Sequence, residues 1–379
     1  MQQFCVYNII NTGKILSKII SIATEVPPYK HEQHAICEFA DAIYSNDELE
    51  SRKLRFLYKQ SGISTRYSVI PDYSLPPAER KFYSTSPDLE PFPGLEQRLQ
   101  CYADNACDLS VAAIEKCIQG KITNDQITHL ITVSCTGMSA PGLDLEIMEK
   151  MGLMRNIFRT SVNFMGCYAA IHGLKLADAI CRSDETANVI VVCTELCTLH
   201  FQKEISNDNI TSTLLFADGC AAVLIQPESS GLKGMHIKNF FSDVVFKGKS
   251  DMAWKLASTG FLMTLSGYVP DLVKEDFDRL VTEALENTGL TKEQVTHWCI
   301  HPGGKKILEA IDKGVGLPEG SLCRSYDVLN NYGNMSSATI LFVLKKMLDE
   351  LLADPKPATI FGAAFGPGLT METFIASYD

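Results

Sequence analysis

The chain has 379 residues, of which 46% are apolar and 9% aromatic, and a formal net charge of −11. That length suits two domains or one large duplicated one, with enough apolar side chains for a sizeable core. The acidic balance argues against nucleic acid or an anionic membrane as the main partner, while leaving room for local basic patches facing an anionic small substrate.

The thirteen cysteines are irregularly spaced and include no CxxC pair, so neither a disulfide framework nor a structural zinc site is expected. The odd count and the lack of a secretion signal point to reduced thiols in the cytoplasm. Residues 1–29 are interrupted by Asn, Thr, Lys and Ser, and nowhere are there the roughly 18 consecutive apolar residues of a membrane-spanning helix.

In chain order, Lys18–Ala23 predicts a buried strand stopped by Pro27 and Pro28. His31 to Lys59 reads as helical and charged. After Gly62 and Pro71, the Pro-, Ser- and charge-rich stretch Ser74–Leu95 reads as a long surface connection with short helices. Tyr102–Cys117 has helical spacing, with Ala103, Ala106, Leu109, Ala112, Ala113 and Ile114 on one side. ITHLITVSC (127–135) predicts a buried strand and Asp144–Met151 a short helix. NVIVVCTEL (188–196) and LFADGCAAVLIQ (215–226) predict strands, and Asp271–Thr288 an amphipathic helix.

Between these lies NFMGCYAAIHGLKLADAI (163–180), a tight turn entering a helix. Gly166 permits the sharp backbone, Cys167 stands where the helix begins, and Ala169, Ala170, Gly173, Leu174, Ala177 and Ile180 recur at helical spacing. The free N–H groups and positive dipole end of a helix N-terminus lower a cysteine's pKa and favour the nucleophilic thiolate.

The second half repeats the first. ITNDQITHLITVSCTG (122–137) aligns with LTKEQVTHWCIHPGGK (290–305), so that Thr123, Gln126, Thr128 and His129 match Thr291, Gln294, Thr296 and His297. Both copies carry a Thr-x-x-Gln capping box before an apolar strand. The Cys167 helix aligns with GNMSSATILFVLKKM, NVIVVCTEL with ATIFGAAFG, and GCAAVLIQ with GLTMETFIA. An α/β chain duplicated in this way predicts largely parallel sheets covered on both faces. It also predicts stacked layers, with the first helix of each copy meeting near a pseudo-twofold axis.

The duplication puts Cys167 and Asn334 at equivalent places, each after a glycine and opening a buried helix. His301, in HPGG at a strand end, lies where α/β sheets form ligand crevices. A thiol, an imidazole and an amide converging there make coherent chemistry. His301 can pair with Cys167 as a thiolate–imidazolium, and His301 with Asn334 can donate hydrogen bonds to a developing enolate or oxyanion.

NFMGCYAAIHGLKLA, CIHPGGKKIL, NNYGNMSSATILFVL and GAAFGPGLTMETF resemble the four signature segments of type III polyketide synthases, the chalcone synthase-like enzymes. The similarity runs over residues 15 to 378. It implies the thiolase-like duplicated fold with layered α-β-α-β-α architecture. Residues 1–228 would form the half bearing the nucleophilic cysteine, and 229–379 the half bearing the His and Asn. Its implied mechanism loads an acyl-CoA starter on Cys167. His301 and Asn334 then stabilise the enolate of decarboxylating malonyl-CoA, and iterative extension precedes cyclisation to a pyrone, resorcinol or other phenolic product. No metal or redox cofactor is implied, the CoA thioesters being substrates.

By the same resemblance, Phe216 and Met263 gate the cavity, Met263 standing where a second phenylalanine is frequent. Cys135, Thr136, His200, Ser336 and Phe365 would line it. Gly303 and Gly304 would let the pantetheine arm approach the backbone. Lys53 matches one basic position of the CoA site, while Phe56 and Gln60 stand where Arg and Lys are common, leaving Arg55 and Lys59 as nearby substitutes. SCTGxxxPGLD (134–144) looks closer to microbial members of the family. The resemblance also implies a homodimer, although Ala140 occupies the place of the methionine that reaches across to the partner's cavity.

Three other readings remain open at this point. One is a single-round condensing enzyme similar to ketoacyl synthase III, which usually lacks the C-terminal GPG segment. The others are an acyl-CoA-binding protein without turnover and a cysteine hydrolase.

Overall fold

The structure, a computed structural model, describes residues 16–379. The reading of the extreme N-terminus as free of a leader therefore lies outside the described residues for positions 1–15.

The first half opens with β1 (Ser17–Glu25), β2 (Tyr29–Glu32), α1 (Gln33–Tyr44), α2 (Glu48–Gln60) and β3 (Thr65–Ser68). The charged helical region thus divides in two, with Asp47 capping α2 through the Glu50 N–H. The stretch 74–94 has only a short 3₁₀ turn at Pro77–Glu79, as its composition predicts. Next come α3 (Leu95–Ile118), β4 (His129–Ser134), α4 (Leu143–Met151), β5 (Phe158–Asn163), α5 (Ala169–Ser183), β6 (Val189–Leu196), α6 (Asn207–Leu215) and β7 (Asp218–Pro227).

The second half follows with β8 (Met235–Val244), the hairpin β9 (Met252–Ala257) and β10 (Gly260–Leu265), α7 (Val269–Glu286), β11 (His297–Ile300), α8 (Lys305–Val315), α9 (Cys323–Tyr332), α10 (Ala338–Ala353), β12 (Ala358–Gly366) and β13 (Thr370–Tyr378).

Nine strands form one sheet in the order β11-β12-β13-β8-β1-β7-β6-β4-β5. Read outward from the β8–β1 junction, β8-β13-β12-β11 mirrors β1-β7-β6-β4, which is the duplication made visible. Two details differ from expectation. The sheet is mixed rather than largely parallel: only β4 with β5 and β6, and β11 with β12, run parallel. The reason is that β6 to β7 and β12 to β13 are antiparallel returns, the latter a short hairpin, and β1 meets β8 antiparallel. The central helices are also not the first of each copy. Helices α5 and α10, the ones following Cys167 and Asn334, meet in the middle. Helix α3 covers β1, β6 and β7, and α7 lies against α8 and β8.

Both capping boxes form, Thr123 with Gln126 and Thr291 with Gln294. The next threonine in each copy, Thr128 or Thr296, hydrogen-bonds its following histidine at 2.8 Å and donates to a carbonyl at 3.1 Å, that of Asn188 or Thr359. The twelve described cysteines are all free thiols. Among the described residues, no helix is long and apolar enough to cross a membrane.

Helix α5 lies close on its sheet because position 173 is glycine. A Cβ there would sit 2.7 Å from Val191 Cγ1 and 3.3 Å from Val133 Cγ2, both on buried, rotamerically stiff side chains. Gly173→Ala would gain up to about 1 kcal/mol of helix propensity, but overpacking such a contact costs about 1–3 kcal/mol. The overpacking term wins, so the variant is expected to melt below wild type. Adding Val191→Ala should recover part of the loss in the same thermal denaturation assay.

Candidate active site

Cys167 lies in the turn between β5 and α5. The first helical residue is Ala169, two positions later than the sequence reading placed the helix start. Gly166 adopts φ 90°, and a Cβ on it would come within 2.4 Å of Pro367 Cδ. Gly366 is equally constrained, since its Cβ would meet Tyr168 at 2.5 Å and the Cys167 amide at 3.4 Å. The GPG hairpin between β12 and β13 therefore clasps the cysteine turn, which explains why those small residues occur together.

His301 follows β11, its amide donating to Ala363 O at 2.8 Å. The ring is 1% exposed, and neither nitrogen has a hydrogen-bond partner. Asn334 precedes α10 and pairs with the first half: its N–H donates to Leu215 O at 2.9 Å, and its carbonyl accepts from Ala217 N at 2.9 Å. Its Oδ1 accepts from Ser336 N at 2.9 Å, which orients the amide so that Nδ2 faces Gly303 O at 3.1 Å. The second Nδ2 hydrogen is left to point elsewhere. Ser336, at φ 48°, stores backbone strain to close this turn.

Cys167, His301 and Asn334 line one cavity of about 250 Å³, as do Phe216, Met263, Ser336, Phe365, Gly303 and Gly304. The walls are mostly apolar. Cys135, Thr136 and His200 do not reach it; they form a layer behind. The Cys135 thiol accepts from Gly166 N at 3.2 Å, supporting the catalytic turn, and Thr136 hydrogen-bonds His200 Nε2 at 3.0 Å. His200 lines a smaller pocket on the far side of Phe216. Lys53 and Arg55 are not at the cavity either, and Arg55 is engaged with Asp41 at 2.9 Å.

Two residues escaped the sequence reading. Trp254 of β9 lines the cavity and stands edge-on to His200, ring centroids 4.5 Å apart. Nothing in its local pattern marks it. Glu195 does carry a signal, as a carboxylate inside the apolar strand NVIVVCTEL. It is fully buried in β6, accepting from Cys135 N at 2.9 Å and from the Ser337 hydroxyl. Burial pushes its pKa up to about 7, against these hydrogen bonds.

Burial opposes ionisation of either member of the expected thiolate–imidazolium taken alone. Burial pushes the Cys167 thiol up to about 12, although Ser336 and Asn334 pull it down, and burial drives His301 down to about 3. Proton transfer between them creates opposite charges that stabilise each other, so the ionised state is reached as a pair.

A duplicated α/β fold that sets a cysteine from one half against a histidine and an asparagine from the other has the form of a thiolase-like condensing enzyme. Residues 8–229 match the N-terminal domain of chalcone and stilbene synthases, and residues 237–377 match their C-terminal domain. An α-pyrone synthesis polyketide synthase-like protein, Pks18 of Mycobacterium tuberculosis, is 30% identical over 335 residues, covering 86% of this chain and 82% of the relative. The 1,3,6,8-tetrahydroxynaphthalene synthase of Streptomyces peucetius is 27% identical over 378 residues, covering 97% and 93%. The solved type III polyketide synthase domain of Steely1 from Dictyostelium superposes with a TM-score of 0.86 at 25% identity, covering 96% of this chain and 99% of that one. The chain belongs to the chalcone and stilbene synthase family, and is an acyltransferase-type enzyme of the type III polyketide synthase class.

The buried imidazole has a pH consequence. Its folded pKa, about 3, lies below the ordinary 6.5, so the unfolded chain binds more protons between those values. His301 thus contributes stability above pH 6.5 that is lost as the pH falls toward 3, at up to about 1.4 kcal/mol per pH unit. His301→Gln should show a shallower fall of Tm between pH 6.5 and 4.5 than wild type. An equal slope would show that the imidazole is not held neutral.

Proposed function

We propose that the protein is an iterative synthase that takes an acyl group from acyl-CoA onto Cys167 and extends it with malonyl-CoA. The arrangement of Cys167, His301 and Asn334 around one apolar cavity carries this reading. The Cys167 proton passes to His301, the thiolate attacks the starter thioester, and the departing CoA thiolate takes the proton back. Malonyl-CoA then loses carbon dioxide. The electron pair of the broken C–C bond becomes an enolate, whose oxygen His301 and the free Asn334 Nδ2 hydrogen can hold. The enolate carbon attacks the acyl thioester, releasing Cys167 and leaving a chain two carbons longer. Repetition and ring closure give a pyrone, resorcinol or other phenolic product. No metal or redox cofactor is needed, since decarboxylation supplies the nucleophile.

A cavity of about 250 Å³ is small for a binding site, such sites running to roughly 300–1,000 Å³. Trp254 occupies part of that space, which favours compact starters and short chains. Purified protein would be incubated with malonyl-CoA and starters from acetyl- to palmitoyl-CoA and a cinnamoyl type, with products read by mass. Wild type is expected to add two or more C2 units, Cys167→Ser none, and Trp254→Gly to shift products toward longer starters. A single extension dependent on acyl carrier protein would move the protein to fatty-acid initiation.

We also propose that it works as a cytoplasmic homodimer joined at β5. This strand ends the sheet, is exposed at every position but Val162, and carries Phe158 at 70% exposure. Met138, Leu145 and Met154 are further exposed apolar residues on adjoining segments. An open edge with an apolar surround invites pairing with a second copy. Phe158→Glu should convert the dimer to monomer in light scattering; a wild type already monomeric would refute the arrangement.

A further inference from the structure

A buried cation lies behind the seam between the two halves. Arg66 of β3 is 3% exposed, and among the described residues its hydrogen bonds all go to neutral amide oxygens. Its Nε donates to Gln33 Oε1 at 2.9 Å, and its Nη1 to Thr213 O at 2.7 Å and Phe216 O at 2.6 Å. Those two carbonyls stand at the C-terminal end of α6, where a helix presents oxygens that no N–H of its own can reach. Gln33 Nε2 takes Leu214 O at 3.0 Å, and the Asn334 N–H takes Leu215 O at 2.9 Å. Every carbonyl from Thr213 to Phe216 is thus held, two of them by one guanidinium nitrogen, and a cation suits the negative end of the helix dipole. The stem of Arg66 is as closely fitted. A Cβ on Gly333, the residue before Asn334, would lie 2.8 Å from both Cδ and Cγ of Arg66. The neighbours of Arg66 tie to the same loop: Ser64 N donates to Asn330 O at 2.8 Å, Thr65 Oγ1 to Asn331 O at 2.7 Å, and Tyr67 stacks on Tyr332. Burying a guanidinium away from any counter-ion is costly, so a side chain needed only for packing would be apolar.

We propose that Arg66 is a positioning residue for enolate formation: by fixing the end of α6 and the Gly333 turn together, it sets where the Asn334 amide stands against the malonyl group. This rests on the reading of malonyl-CoA as the extender. The chain of contacts is short. Arg66 holds Thr213 O and Phe216 O on either side of Leu214 and Leu215, Leu215 O holds Asn334 N, and Phe216 and Asn334 form a β-bridge. Cys167 is fixed by a different contact, its clasp with the hairpin at Gly366 and Pro367. The two steps of the reaction therefore depend on Arg66 unequally. Releasing the α6 carbonyls lets Asn334 drift, and a displacement of about 1 Å at such a group costs on the order of 10²-fold in rate. The thiol meanwhile keeps its place for acyl transfer.

The test measures the two steps separately in wild type, Arg66→Met, Arg66→Lys and Gln33→Met. Acylation of Cys167 by acetyl- and hexanoyl-CoA is read by protein mass in a quenched time course, and decarboxylation by the release of labelled carbon dioxide from malonyl-CoA. Arg66→Met should slow carbon dioxide release by about tenfold or more while changing the acylation rate by less than about twofold. Arg66→Lys, whose ammonium can still donate to Thr213 O and Phe216 O, should recover most of the loss. Gln33→Met keeps the guanidinium but removes the Leu214 contact and the acceptor of Nε. It should move the ratio of the two rates in the same direction by a smaller factor, and it decides the question if Arg66→Met does not fold. An unchanged ratio in whichever methionine variant folds overturns the assignment alone. So does an equal fall in both steps, which would mark Arg66 as a support of the fold only. A wild type that neither acylates Cys167 nor releases carbon dioxide overturns the CoA-thioester reading and the assignment with it.

Discussion

The contact on which the rest of the molecule depends is the clasp between the Gly166–Cys167 turn and the hairpin at Gly366–Gly368. Each side has a glycine where a Cβ would collide with the other. The turn belongs to the first half and the hairpin to the second, so the clasp fixes the two copies relative to each other. A second stitch lies beside it, where Asn334 exchanges backbone hydrogen bonds with Leu215 and Ala217. The nucleophile from one copy and the two hydrogen-bonding groups from the other are thereby brought to one cavity. Neither half alone encloses the space in which they meet.

Placing the site at this internal seam has an electrostatic cost. Removing a thiol and an imidazole from water opposes the ionisation of either one alone. The site accepts that cost and leaves both ring nitrogens of His301 without protein partners. A hydrogen-bond acceptor supplied to the ring by the protein would hold it in place but compete with the substrate oxygen. Bare nitrogens in a low-dielectric pocket interact most strongly with whatever charge develops there. Asn334 solves the complementary problem: its carbonyl oxygen is fixed by Ser336 N, so its amide hydrogens have only one way to face.

Much of this was legible in the sequence because duplication makes patterns audible twice. The paired capping boxes, the Thr-His steps and the matching strands all appear where the alignment put them, since each is a local hydrogen-bonding or periodicity signal. What escaped has a common cause in tertiary context. Strand direction was misjudged because a short return such as Pro367–Leu369 leaves little trace of whether the next strand pairs with its predecessor. Cys135, Thr136 and His200 were expected at the cavity, yet the structure sets them one layer back. Sequence adjacency to a strand end locates a residue along the strand but not its depth behind the wall. Trp254 is the converse case: it sits in a hairpin with no catalytic motif, and only the folding of β9 over the site brings it there.

Duplication also separates scaffolding from chemistry. The offset that equates His129 with His297 places Val133 opposite His301. In the first half that position is a buried valine against Gly173, where it helps seat α5. In the second half the same point in the pattern turns toward the cavity as an imidazole. Likewise one helix follows a thiol and its counterpart follows an amide. A symmetric pair of such sites would place two nucleophiles or two amides face to face, and neither arrangement could both bind an acyl group covalently and stabilise an enolate. The repeated elements supply a rigid frame, and the departure from symmetry at three residues supplies the reaction.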